Sequence, residues 1–258
     1  MRKVIISIVI MAIIVASTII VKNYYAKQLV KQGETNFING NYKIATEYLN
    51  RAIKYNGNIT RAYLLRGRVC SYQTLKKYYN NEELGPEDYT NCRKAIDDFS
   101  KCISFNSNDT NALISRGIRY QVIKEYEEAK NDFSRTINID PKNKEAYFRR
   151  AYINEKLGKI DLAIEDYTKS IEFDTTQSGS AYNNRALLYE SIGEYKKAID
   201  DFNKSIDLSP KSPNAYENKS RILLKEGQYS EALKLKKIAA RLGSKSAKEW
   251  LTDHNETW

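Results

Sequence analysis

His254 is the only histidine in the 258 residues, and it stands in the terminal stretch "TDHNETW". A nucleophile–histidine–acid set or a histidine metal cluster has nothing to form from in the rest of the chain. The three cysteines are Cys70, Cys92 and Cys102, far too widely spaced for a C-x-x-C redox or zinc motif. No glycine-rich loop has the spacing that cradles a phosphate. Asp and Glu number 32, but many recur at one interval along the chain, as structural residues do. The expectation is a protein that is not an enzyme, with no catalytic residue, cofactor, metal or small-molecule substrate.

Charge points the same way. Lys and Arg number 42, giving a net +10 with no block of consecutive basic residues. So diffuse a surplus suits solubility or attraction to an anionic lipid surface better than nucleic-acid recognition, and no nucleic-acid partner is expected. Four Pro and 11 Gly are too few for a loop-rich all-β fold.

The first 22 residues, "MRKVIISIVIMAIIVASTIIVK", contain an uncharged run from Val4 to Val21. As a helix its 18 residues reach about 27 Å, close to the hydrocarbon thickness of a bilayer. A cleaved signal peptide is the competing reading, but its apolar stretch is normally only about 7–15 residues. Lys22, Asn23 and Tyr24 follow here in place of a small-x-small cleavage site. A retained single-pass anchor over residues 1–25 is expected. The short basic start Arg2–Lys3 favours a cytoplasmic N-terminus and extracytoplasmic repeats, although Lys22, Lys27 and Lys31 nearly cancel the bias.

Beyond the anchor the chain repeats itself. Ala45, Ala95, Ala129, Ala163, Ala198 and Ala232 are equivalent, at separations of 50, 34, 34, 35 and 34. Sixteen residues before five of them lie Leu29, Leu113, Tyr147, Tyr182 and Tyr216; twelve before lie Gly33, Gly117, Ala151, Ala186 and Ser220. Four after come Leu49, Phe99, Phe133, Tyr167 and Phe202. Within each unit, apolar residues three and four apart describe two amphipathic helices around a turn, neither able to bury its stripe alone. Neighbouring units must stack. Six repeats are expected, at 26–59, 60–109, 110–143, 144–178, 179–212 and 213–245, with a capping helix and tail at 246–258 that bring Trp250 and Leu251 over the last stripe.

Two slots carry charge in register. Arg66, Arg116, Arg150 and Arg185 share one in the first helix, and Asp98, Asp132, Asp166 and Asp201 one in the second. Repeat 1 lacks both; repeat 6 has Lys219, with Leu235 in the acid's slot. An Arg–Asp pair within or between repeats is predicted, contributing about 0–1 kcal/mol as exposed pairs do.

The long interval before Ala95 holds an insertion at 71–91, inside "CSYQTLKKYYNNEELGPEDYTNC". With Gly85 as the turn and Pro86 opening a helix, it reads as a protruding helical hairpin carrying Tyr72, Tyr78, Tyr79 and Tyr89. These tyrosines either form a contact surface or pack the hairpin against itself. Cys70 and Cys92 bracket the insertion and would be joined in an oxidising compartment; otherwise both are small core residues. Cys102, in a slot held by Ala52 and Ala239, is expected as a buried free thiol.

The repeat pattern resembles the tetratricopeptide repeat family over residues 26–245. The resemblance implies an all-α, right-handed helix-turn-helix solenoid behind one N-terminal transmembrane helix, binding a protein or peptide partner on a concave face lined by first helices. The slots on that face are Arg68 and Tyr72, then Phe148, Arg149, Tyr152 and Glu155, then Asn183, Asn184 and Leu187, then Arg221. A clamp for a partner's C-terminal carboxylate, known in some relatives, is not matched: Val30, Glu34, Asn214 and Asn218 occupy its slots. A membrane-anchored scaffold is expected, with a membrane receptor or chaperone for targeted or unfolded chains, or a secreted binding protein, as alternatives.

Overall fold

A computed structural model describes residues 2–174 and 179–257. The end of the fourth expected repeat, 175–178, and the terminal Trp258 lie outside it. Every element among the described residues is an α-helix. Two compact units divide the chain, residues 1–139 and 140–258.

The first unit holds α1 (Arg2–Ile38), α2 (Tyr42–Tyr55), α3 (Thr60–Tyr79), α4 (Pro86–Phe105), α5 (Thr110–Val122) and α6 (Tyr126–Ile139). The second holds α7 (Lys144–Lys156), α8 (Ile160–Glu172), α9 (Gly179–Ser191), α10 (Tyr195–Leu208), α11 (Pro213–Lys225), α12 (Tyr229–Arg241) and α13 (Lys245–Asp253). Within each unit consecutive helices pair as hairpins, and the second helix of one hairpin packs on the first helix of the next. First helices also touch each other, α1 on α3, α3 on α5 and α9 on α11, so within each unit their free sides share one face.

The repeat explains the packing. All six anchor alanines have no exposed surface, and neither do Leu49, Phe99, Phe133, Tyr167 and Phe202. The large residue of the second helix fills the space left by the small one of the first. A Cβ added at Gly117 would lie 2.8 Å from Phe133 Cε1, and one at Gly33 2.8 Å from Leu49 Cγ. Burying such side chains contributes about 1.5–3 kcal/mol each, which a lone hairpin could not collect. Helix starts are fixed locally: Asp109 accepts from Ala112 N at 3.0 Å, and Asn143 from Ala146 N at 3.0 Å.

The turns inside hairpins need a residue with positive φ, supplied by Gly40, Gly158, Gly193 and Gly227, and by Lys124 in the third. In the insertion Asn81 takes that role, with φ 57°. Gly85 does not: its φ is −90°, and it is the N-cap of α4. The hairpin protrudes by extending both helices, α3 and α4 having 20 residues each against the 13 of α5 and α7. Asp88 fastens its tip, accepting from Gly85 N (3.0 Å), Thr74 Oγ1 (2.9 Å) and Lys77 Nζ (2.9 Å).

α1 runs unbroken from Arg2 to Ile38, so the apolar run and the first helix of repeat 1 are one rod. Its stretch from Ile5 is long and apolar enough to cross a membrane, with none of that window buried. At the other end α13 buries Ala247 and Leu251 against α12, and Trp250 lies over Lys236 Nζ at 5.5 Å.

Candidate functional site

The Arg and Asp slots meet inside each of the four repeats that carry both. Arg66 donates from Nε and Nη2 to Asp98 at 3.0 and 2.6 Å, Arg116 to Asp132 at 2.8 and 2.7 Å, Arg150 to Asp166 at 2.9 and 2.7 Å, and Arg185 to Asp201 at 2.7 and 2.8 Å. These are not the exposed pairs expected: the four carboxylate side chains keep only 3–9% of their surface. The third guanidinium nitrogen reaches the preceding repeat. Arg66 Nη1 donates to Asn50 (2.6 Å), Arg116 Nη1 to Ser100 (2.9 Å) and Arg185 Nη1 to Thr168 (2.8 Å). Each of these three arginines thus braces its own hairpin and ties it to the one before. The signal for this second contact was present, a short polar residue five after each anchor alanine concerned. In repeat 6, Lys219 turns instead to Glu231, at 3.5 Å.

In the second unit the free side of the first helices carries a connected polar line. Asn218 Nδ2 on α11 donates to Asn183 Oδ1 on α9 (3.1 Å), Asn183 Nδ2 to Asn184 Oδ1 (3.3 Å), and Asn184 Nδ2 to the Tyr167 hydroxyl on α8 (3.3 Å). Phe148 on α7 meets Tyr167 edge-on at 5.5 Å. Burial pushes the Tyr167 phenol well above its usual range, so it stays neutral and able to donate. Phe148, Tyr152 and Leu187 flank the line half-buried. Lys156 Nζ lies 4.9 Å over the Tyr152 ring.

The charged candidates here have partners already. Arg149 bonds Glu145, Glu155 accepts from Lys156, and Arg221 forks onto Glu190 at 3.0 and 2.6 Å while Lys225 reaches it at 3.1 Å. Burial alone would raise the Glu190 pKa, but the Arg221 and Lys225 bonds hold it below the usual range. Glu190 carried no signal in the repeat pattern; only its neighbour on α11 marks it.

The candidates of the first unit separate. Arg68 is exposed on α3; Tyr72 keeps 41% of its surface while its ring meets Tyr42 tilted (5.2 Å) and Phe37 edge-on (5.6 Å). Tyr78 is half-buried, accepting from Gln121 Nε2 at 3.2 Å, and meets Tyr79 edge-on at 5.4 Å; Tyr79 and Tyr89 keep 54% and 41% of their surface. Of the hairpin's four tyrosines, Tyr78 is held half-buried on its own unit, while Tyr72, Tyr79 and Tyr89 stay exposed. An open cleft of about 1050 Å³ lies between α2, α3 and α4, lined by both signs of charge, Lys43 and Lys94 among them with Glu47 and Asp97.

All three cysteines are free thiols, and the Cys70–Cys92 bridge is not formed. Cys70 Sγ instead donates to Asn91 Oδ1 at 3.7 Å, and burial raises the Cys92 thiol to about 11. Cys102, fully buried, donates to Thr60 O at 3.5 Å. Among the described residues no group of His, Cys, Asp and Glu is placed to hold a metal ion.

Three tetratricopeptide repeat models match, over residues 144–177, 179–212 and 202–234. No curated protein matches the chain. Among solved structures, one of MamA is 26% identical with a TM-score of 0.56, covering 68% of this chain and 96% of that one. PilF of Pseudomonas aeruginosa is 16% identical with a TM-score of 0.70, covering 90% of this chain and 99% of that one. YrrB, described as a TPR protein with an unusual peptide-binding site, is 17% identical with a TM-score of 0.57, covering 81% and 99%. The last two likenesses are likenesses of fold.

Proposed function

Because this chain is a tetratricopeptide repeat protein, built to bind other proteins, we propose that it is a membrane-anchored scaffold that holds an extended segment of a partner. The binding face is the free side of α7, α9 and α11. One observation carries this reading, the line Asn184–Asn183–Asn218, braced from beneath by the buried Tyr167 hydroxyl and flanked by Phe148, Tyr152 and Leu187. Asparagine amides bonded along such a line can exchange those bonds for the N–H and C=O groups of an extended peptide. Half-buried aromatic and aliphatic groups beside them offer contact area at little entropic cost. The Arg221–Glu190–Lys225 cluster sets a charged boundary at one end. The unusual peptide-binding site described for YrrB is consistent with such a use of the fold. Tyr79 and Tyr89 on the protruding hairpin form a second contact surface.

The span within α1 supports retention in a bilayer, and the short basic start Arg2–Lys3 favours repeats outside the cytoplasm. In an oxidising compartment Cys70 and Cys92 would be joined. Photo-crosslinking tests the binding face. A crosslinker at Tyr152 or Leu187 should capture one segment of one partner, and Asn183→Ala with Asn218→Ala should abolish the product. Capture no more frequent than from Lys204, exposed on α10, would remove the proposal.

A further inference from the structure

The apolar run ends at Val21, and α1 continues without a break. Tyr25 lies four residues on, about 6 Å further along the axis. A membrane that holds Val4–Val21 therefore has its headgroup layer at the level of Asn23–Tyr25. The repeat domain begins at that level too. Ala26 and Ala52 are fully buried, so the small faces of α1 and α2 meet five residues past the run. The last residues of α2 come back to the same height: the Tyr55 ring stacks on Tyr25 at 6.4 Å and 28°, and Asn56 Nδ2 donates to Asn23 Oδ1 at 2.8 Å. Tyr24 stands edge-on to Tyr25 at 6.1 Å.

None of these rings is buried. Tyr24, Tyr25 and Tyr55 keep 60%, 55% and 46% of their surface. An exposed three-tyrosine cluster needs a reason on a protein whose anchoring aromatics, Phe99, Phe133, Tyr167 and Phe202, are fully buried. Tyrosine at the edge of a hydrocarbon layer has one: its ring rests against acyl chains while its hydroxyl stays among headgroups. The charge around it agrees. Lys22, Lys27, Arg51 and Lys54 are exposed or half-exposed on the neighbouring turns of α1 and α2, with no acid between Lys22 and Lys31. A notch of about 400 Å³ between the two helices, lined by Ser17, Thr18, Val21, Lys22, Tyr25 and Tyr55, runs from the span to this level.

We propose that the first repeat is seated on the bilayer, with Tyr55 and the α2–α3 turn at 56–59 in the headgroup layer beside Tyr24 and Tyr25. The partner of this surface is lipid. The anchor is then a rigid mount, and no linker separates it from the first hairpin. This rests on the anchor being retained and membrane-inserted.

The test is tryptophan fluorescence of the full chain reconstituted in vesicles containing phosphatidylglycerol and phosphatidylcholine, the latter brominated near the glycerol backbone. Quenching is measured above that of the parent chain, which contributes Trp250 and Trp258. Tyr25→Trp reports on the anchor, Tyr55→Trp and Asn58→Trp on the turn, and Tyr79→Trp on the far end of α3, about 29 Å from its start. The expected result is that emission of the new tryptophan falls about twofold at 25, 55 and 58 and is unchanged at 79. Quenching at 25 but at neither 55 nor 58 would leave the anchor standing and overturn the seating. A chain extracted by alkaline carbonate, with no quenching at 25, would overturn the anchor and the seating together.

Discussion

Replacing Arg116 by Met should cost far more than a surface ion pair is worth. Asp132 keeps 3% of its side-chain surface, and two bonds from Arg116, at 2.8 and 2.7 Å, are what stabilise its charge. Without the guanidinium a carboxylate is left in a site that water barely enters. Stranding a buried charge costs about 3–5 kcal/mol, and the 17% exposure of Arg116 admits enough water to set the value near the lower end, about 3. The reverse substitution should be milder. Asp132→Asn leaves a guanidinium that still bonds Ser100 at 2.9 Å and touches solvent, a loss of about 1–2 kcal/mol. Urea unfolding followed by circular dichroism measures both, with amide exchange in α5 and α6 to localise the change. For a slope of about 2 kcal/mol per molar, Arg116→Met moves the midpoint by about 1.5 M and Asp132→Asn by about 0.5–1 M. Equal shifts worth under about 1 kcal/mol would show that the pair is solvated and that burial has been given too much weight.

Other consequences follow from single sites. Gly117→Ala puts a methyl 2.8 Å from the ring of Phe133, which is fully buried and has nowhere to move; the loss should be about 1–3 kcal/mol by thermal melting, while Gly57→Ala, with nothing within 4 Å, should leave the melt unchanged. In the reduced protein, with Cys92 raised to about 11 and Cys102 to about 12, their thiolate fractions at pH 8 are about one in a thousand or less, so iodoacetamide should modify Cys70 first and the other two only on unfolding, as peptide mapping would show. Glu190 has a lowered pKa in the folded chain, so its contribution to stability is complete above the ordinary glutamate range and is lost as pH falls through the lower folded value; the midpoint of Glu190→Gln should differ from the parent at pH 7 and approach it under acid.

How much of this could be read from the chain depends on whether a residue acts in register. Ala163 announces itself because all six repeats state it again, and Tyr167 because five of the six place a large apolar residue there; the physical need, two backbones close together beside a bulky side chain, is the same in those copies. The Arg–Asp pairs were legible for the same reason. Their burial was not, because a charge pattern says which groups meet and is silent on what lies over them. Residues outside the register followed other rules. Tyr72 reads as part of an open face from its place on α3 and keeps 41% of its surface, and Phe37 and Tyr42 of the preceding hairpin also hold its ring, a contact the repeat pattern does not announce. Gly85 was the only glycine in the insertion and seemed to own its turn, but asparagine also tolerates positive φ, and Asn81 bends the chain while Asp88 needs Gly85 as an N-cap. The polar line from Tyr167 to Asn218 lies between these cases. Asn183 and Asn184 were marked by their slot, but the contact that makes them a continuous surface belongs to α11, one repeat further on. A repeat defines what each hairpin offers its neighbours; the binding face is made of what is left over, the positions free to differ from copy to copy.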